Sequence, residues 1–251
     1  MTCTFLHVWP FIFAGDLLRY LIGAGLVYVA VWICWRRSLM ARRIQSRWPT
    51  AGDMRREVRY SLLTVVILSI VGFGVHQGIR SGVLRVYSDI GQRGWLWWAA
   101  SIALLVVLHD AYFYWTHRLL HHRSVFRWAH RAHHLSHTPT PWAAYAFAPA
   151  EAVVQAAYLP LILIVLPAHK SALFLFLAHM ILRNAIGHSG FELLPRRWQR
   201  LPITSVTHHD LHHSTMRGNY GLYFTWWDRL MRTEHPHERR VAPPFSSSPG
   251  S

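Results

Sequence analysis

The sequence predicts an all-α, multi-pass integral membrane helical bundle of about 4–5 apolar helices with a cytoplasmic histidine-rich helical cap. Three observations predict it: a series of long apolar runs, arginines massed at the ends of those runs, and histidines gathered into boxes just beyond the third run. Leu17–Trp35 holds 19 residues with only Arg19 charged. At ~1.5 Å per residue that is close to the ~30 Å of a hydrocarbon core. Tyr60–Val75 and Gly94–Leu108 are uncharged, and the latter runs on into His109 and Asp110. Ala150–Leu166 and Ser171–Ile186 flank a Pro-Ala-His-Lys turn and read as a hairpin. Buried helices of a soluble core would explain Tyr60–Val75 alone, but not the whole series.

The charge fixes an orientation. A net charge of +15 in a soluble chain would suggest nucleic acid. Here Arg36, Arg37, Arg42, Arg43 and Arg47 follow the first run, and Arg55, Arg56 and Arg59 precede the second. That is the positive-inside pattern, with anionic headgroups as partners and nucleic acid a poor second. It puts Met1 outside and the Arg36–Arg59 loop in the cytoplasm. The third run then returns the chain to the cytoplasm before the first histidine box, and a hairpin that goes out and back leaves Pro195–Ser251 there too. Arg80, Arg85 and Arg93, in the opposite loop, pull against this without reversing it. A bacterial inner membrane is favoured over the endoplasmic reticulum. The N-terminus lacks a basic n-region, so no signal cleavage is expected. Cys3 and Cys34 cannot build a disulfide framework or a CxxC zinc site. The His235–Ser251 tail, rich in Pro, Ser and Arg, reads as disordered.

The boxes are His117-x3-His121, His130-x2-His133-His134 and His209-x2-His212-His213. Residues three and four apart share a helix face, so each box can aim its imidazoles at one point. Neutral imidazole suits Zn, Cu, Fe and Ni. These histidines exceed the ligand number of one ion, since a zinc site closes at about four, so a two-metal site is the economical reading. A basic His-rich surface would explain Arg127 and Arg131 but not the repeated His-x2-His-His spacing; those arginines also favour neutral imidazoles.

Further candidates surround the boxes. Asp110, Tyr114, His117 and His121 form one helical stripe, which makes Asp110 a candidate to orient a ligand histidine, against interfacial water or Arg118 as its partner. Glu151 opens the hairpin, where helix capping and a role near the metals weigh about evenly. His188 and Glu192 are four apart and can add one nitrogen and one oxygen ligand, although Gly190 between them argues against a helix. His122 and His137 lie off the pattern and read as surface or supporting residues, and His208, one position off the third box, is the weakest of its four histidines. His179 faces the bundle, and His7, His76, His169, His235 and His237 read as ordinary surface.

Taken together, Asp110-x3-Tyr114-x2-His117-Arg118-x2-His121, His130-x2-His133-His134-Leu-Ser-His-x-Pro-Thr-Pro-Trp142, Gly187-His188-x-Gly190-x-Glu192, His209-Asp-Leu-His212-His213-Ser-x4-Asn219-Tyr-Gly221 and Trp227-Asp-Arg-Leu230 resemble the fatty acid hydroxylase/sterol desaturase superfamily of integral-membrane oxygenases. The resemblance spans roughly Trp95–Thr233. It implies an N-terminal transmembrane region (1–93), a fatty acid hydroxylase-like catalytic domain (94–234) and the tail (235–251). It also implies two Fe ions, O2 as co-substrate and an external electron donor, for hydroxylation or desaturation of a lipid. The implied metal ligands are His117, His121, His130, His133, His134, His209, His212 and His213, with His188 added. Many relatives carry a histidine where this chain has Ala148, which puts a tenth ligand in doubt.

No GxGxxG or CxxCH motif supplies a bound reductant, so a ferredoxin, a cytochrome b5-like protein or a reductase is the expected partner, and the basic face suits an acidic carrier. A membrane metal-binding or transport protein is the alternative, but transporters set ligands near the midplane on broken helices. A zinc hydrolase would call for HExxH, which is absent from the sequence. Sterol, carotenoid, fatty acyl chain, sphingoid base and ether lipid all remain open, as does hydroxylation against desaturation.

Overall fold

Helix α1 (Thr2–Tyr28) continues into a π-helical turn, Val29–Cys34, and is followed by the short α2 (Arg36–Leu39) and the long α3 (Ala51–Arg80). Next come β1 (Val86–Tyr87), α4 (Gly94–Leu120), α5 (Arg123–Ala129), α6 (Arg131–His134) and a 3-10 turn at Pro141–Tyr145. Helix α7 (Pro149–Val165), β2 (Ala168–His169), α8 (Lys170–Gly187), α9 (Val206–Thr215) and α10 (Trp226–Leu230) follow among the described residues. This computed structural model describes residues 2–195, 198 and 201–235; His237 and the expected disordered stretch beyond His235 lie outside them. Among the described residues the only strand pairing in a sheet is the two-residue parallel contact of β1 with β2, so the fold is an all-helical membrane bundle.

Among the described residues, three helices are long and apolar enough to cross a membrane: Phe5–Cys34, Ala51–Arg80 and Gly94–Leu120. Each exceeds its hydropathy run. Helix α1 starts well before Leu17 because Asp16, which bounded that run, pairs with Arg19 at 2.9 Å on the same face, and a paired charge need not end a helix. Helix α3 starts at Ala51 because Thr50 and Asp53 close a capping box: Thr50 Oγ1 accepts from Asp53 N at 3.1 Å, and Asp53 Oδ2 accepts from Thr50 N at 2.9 Å. Helices α7 and α8, the expected hairpin, are shorter than these three.

The bundle core holds the segment that precedes α7. Tyr20 Oη of α1 and Ser61 Oγ of α3 both donate to the Trp142 carbonyl, at 2.9 and 2.8 Å. Thr140 Oγ1 donates to Glu57 Oε2 at 2.5 Å. Tyr20, Ala24 and Val65 pack with Ala144, Tyr145 and Ile181 in one buried cluster. Burying that apolar surface, together with these hydrogen bonds, fixes the 3-10 turn against the first two long helices. The turn in turn fixes where the second histidine box sits. His169 departs from its surface reading: it is buried, accepts from Ser171 N to cap α8, and donates from Nε2 to the Ser88 carbonyl at 2.8 Å.

Candidate metal centre

The histidine boxes come from different kinds of local structure. His117 lies in the last turn of α4 and His121 is its C-cap, so the first box continues a spanning helix. The second box is broken: His130, at φ −134°, separates α5 from α6 and lies outside both helices. The third box sits on α9, whose N-cap Ser205 accepts from His208 N at 3.0 Å. His188 is the C-cap of α8.

These elements converge on two sets of nitrogens. His117, His121, His130, His134 and His212 form one, and His133, His188, His209 and His213 the other; within each, the candidate ligand atoms lie within 4.8 Å of one another. In the first, Nε2 of His117 lies 3.1 Å from Nε2 of His130, and Nε2 of His121 lies 3.1 Å from those of His134 and His212. In the second, Nε2 of His209 lies 3.0 Å from His188 and 3.1 Å from His213, and His188 lies 3.4 Å from His133. Two nitrogens each about 2.1 Å from one ion and about 90–109° apart are separated by about 3.0–3.4 Å. The donor set therefore fits a metal ion in each cluster. Every histidine of the expected set falls in one or other cluster.

The opposite ring nitrogens explain the tautomers. His117 Nδ1 donates to the Tyr220 carbonyl at 3.0 Å, His212 Nδ1 to Gly218 at 2.7 Å, and His188 Nδ1 to Asn184 at 2.8 Å. A carbonyl only accepts, so Nδ1 keeps the proton and Nε2 presents its lone pair. Burial, followed by the neighbouring imidazole of His212, holds His121 down at about 3; burial holds His188 at about 4. Burial likewise leads in holding His130, His133, His134, His209, His212 and His213 well below their ordinary value, with other histidines next. Burial and the neighbouring imidazoles, rather than the arginines invoked from the sequence, lead in keeping the rings neutral.

The three carboxylates diverge from one another. Glu151 is buried with its Oε2 2.8 Å from His130 Nδ1, close but outside hydrogen-bond geometry, so it lies against a cluster histidine. Asp110 does not reach a histidine. Its Oδ1 accepts from Tyr223 N at 2.8 Å and Phe224 N at 3.2 Å, and its Oδ2 from Trp226 Nε1 at 2.9 Å. It clamps the segment after the third box because the helical stripe aims it there. Glu192 belongs to neither nitrogen cluster. Its Oε2 accepts from Thr207 N at 3.0 Å and Thr207 Oγ1 at 2.6 Å in the first turn of α9, which makes it a cap on the third-box helix.

Sequence reasoning missed Asp228. Its Oδ1 accepts from Tyr220 N at 2.9 Å and Thr233 Oγ1 at 2.7 Å; its Oδ2 accepts from Gly221 N at 2.8 Å and faces His208 Nε2 at 3.2 Å. Burial raises its pKa, but His208 and these donors bring it below the usual carboxylate range. Asp228 thus shapes the loop whose carbonyls orient His117 and His212. Gly221 is required there, since a Cβ would run into the Phe224 carbonyl and come within 3.0 Å of Asp228 Oδ2. The Trp-Asp-Arg-Leu pattern was the available signal. Off the clusters, His122 meets Ser124 Oγ at 2.7 Å and the His179 ring lies tilted against Tyr223, centroids 4.8 Å apart.

The fatty acid hydroxylase family model matches residues 102–233, a range containing both clusters. A Delta(7)-sterol 5(6)-desaturase of Gibberella zeae is 35% identical over 178 residues, covering 70% of this chain and 54% of that protein. Lathosterol oxidase of Homo sapiens is 32% identical over 182 residues, covering 71% and 60%. Methylsterol monooxygenase 1 of Rattus norvegicus is 30% identical over 141 residues, covering 56% and 48%. The chain thus spans about half to three fifths of the length of these relatives. No solved structure matches.

Proposed function

Because the chain belongs to the fatty acid hydroxylase family, we propose that it is a membrane-bound, non-haem di-iron oxidoreductase that hydroxylates or desaturates a lipid. A sterol is the favoured substrate, since sterols are what the similar proteins are named for. The observation that carries this reading is the convergence of two histidine clusters at spacings of 3.0–3.4 Å between Nε2 atoms. His117, His121, His130, His134 and His212 would hold one iron, and His133, His188, His209 and His213 the other. When bound, the iron pair supplies O2 activation, drawing two electrons from an external donor.

The chain's own residues set the conditions for that chemistry. The carbonyls of Gly218, Tyr220 and Asn184 keep protons on Nδ1, so the inward nitrogens stay free to ligate. Burial of the clusters excludes water, which protects a reactive centre from quenching. Glu151, against His130, is a positioning residue. The arginine-rich termini of the long helices support a multi-pass topology with the clusters on the cytoplasmic side. A lipid then enters from the bilayer while a ferredoxin, cytochrome b5-like protein or reductase delivers electrons to the basic face.

The deciding experiment measures iron and zinc per chain in protein from iron-supplemented cells, then assays O2- and reductant-dependent oxidation of a Δ7-sterol. Two irons with turnover are expected. A chain that takes up no stoichiometric metal even after anaerobic iron reconstitution would overturn the reading.

A further inference from the structure

A second feature of the bundle lies among its long helices, outside the two histidine clusters. A cavity of ≈150 Å³ opens among α1, α3, α4, α7 and α8. Its walls are mostly apolar, with Phe176 and Gly72 among them, but Asp16, Arg19, His109 and Gln155 also line it. The carboxamide of Gln155 is the telling group. Both its oxygen and its nitrogen are buried with no hydrogen-bond partner among the protein groups, as is Nε of Arg19. A buried amide left unpaired costs free energy, so its presence on an apolar wall points to a ligand that pairs with it.

We propose that this cavity seats the hydroxyl end of a neutral lipid alcohol, with the Gln155 carboxamide as the group that reads the hydroxyl. The proposal rests on the lipid-oxidising function above and names the substrate class for it. A carboxamide both donates and accepts, and a hydroxyl does the same, so each satisfies the other. An anionic headgroup fits badly, because Asp16 already holds the guanidinium of Arg19 at 2.9 Å and would repel a second anion. The volume matches a ring-sized part of a lipid rather than a whole one: a dry cavity of about 150 Å³ accepts benzene. The cavity also stands close to the clusters. Gln155 is one helical turn, roughly 6 Å, from Glu151, whose Oε2 is 2.8 Å from His130 Nδ1. His109 lies on α4 upstream of His117. A hydroxyl held at Gln155 therefore places carbons a few bonds away toward the histidines.

The test uses the metal-loaded full chain in phosphatidylcholine nanodiscs, kept anaerobic and without reductant so that binding is read without turnover. The probes are a tritiated Δ7-sterol, its methyl ether and its deoxy analogue. The wild type is expected to bind the alcohol about tenfold more tightly than the deoxy compound, and Gln155→Met to bind all three alike. Gln155→Asn, which keeps the amide but withdraws it, should show a reduced preference; metal per chain reports that each variant is folded. A wild type that does not favour the alcohol, or a folded Gln155→Met that still does, overturns the proposal. O2-dependent turnover is scored separately. Alcohol preference that depends on Gln155, without oxidation of any lipid, would leave the cavity assignment standing and sink the oxidase reading. Sterol oxidation with the preference unchanged in Gln155→Met would do the reverse.

Discussion

His133 and His134 are adjacent in sequence, yet the first belongs to the four-histidine cluster and the second to the five-histidine cluster. His213 and His212 divide in the same way. Each His-His pair therefore straddles the two centres, and a backbone shift at either pair moves both.

That arrangement predicts how metal is lost. His209→Ala removes a nitrogen from one cluster and His212→Ala from the other, so each single variant should retain about one iron and the double variant none. Metal analysis of purified protein checks this, with sterol oxidation falling below detection in all three. A double variant that keeps two irons would remove these residues from the ligand set.

Asp228→Asn should weaken the centre without touching a ligand. The amide cannot accept from all four donors, so the loop carrying Gly218 and Tyr220 loosens its hold on His212 and His117. A loss of about 10–100-fold in metal affinity or activity is expected, read by competition with a chelator.

Glu192→Ala should act on stability rather than on metal number. Removing the carboxylate leaves Thr207 N at the start of α9 without its acceptor, a cost of about 0.5–2 kcal/mol. Glu192→Gln, which still accepts, should recover most of it, and iron per chain should match the wild type in both. Loss of an iron in Glu192→Gln would instead restore the ligand role that the sequence allowed.

Acid should destabilise the metal-free protein. An unfolded histidine takes its proton near pH 6.5, whereas His121 and His188 in the fold wait until about 3 and about 4. Between those values the unfolded chain binds more protons, so stability is complete above pH 6.5 and drains away as the pH falls toward the folded values. The unfolding midpoint of chelator-treated protein should drop steadily below about pH 6.5. A midpoint that stays level through that window would mean the rings are not held neutral.

The histidine spacing made the clusters legible, because helix geometry turns i, i+3 and i+4 into one face, and His188 was reachable from its position after the last apolar run. Partners were another matter. Periodicity placed Asp110 on the stripe of His117 but carries no information about Tyr223, Phe224 or Trp226, more than a hundred positions later. The carbonyls of Gly218 and Tyr220 have no signature at all, since every residue owns a carbonyl. The apolar runs stop at Asp16 and at Arg59 although the helices continue past both, because pairing and capping are invisible to a hydrophobicity window.

The carbonyl that orients His117 belongs to Tyr220, 103 positions further on, and Asp228 lies later still. At ~5–20 residues per second, a ribosome needs on the order of ten seconds to cover that stretch. Throughout that interval the groups that hold the rings of the first box do not yet exist. Any metal that these rings hold therefore enters only after residues 218–228 are made, and that segment acts as a latch on when the clusters can be charged.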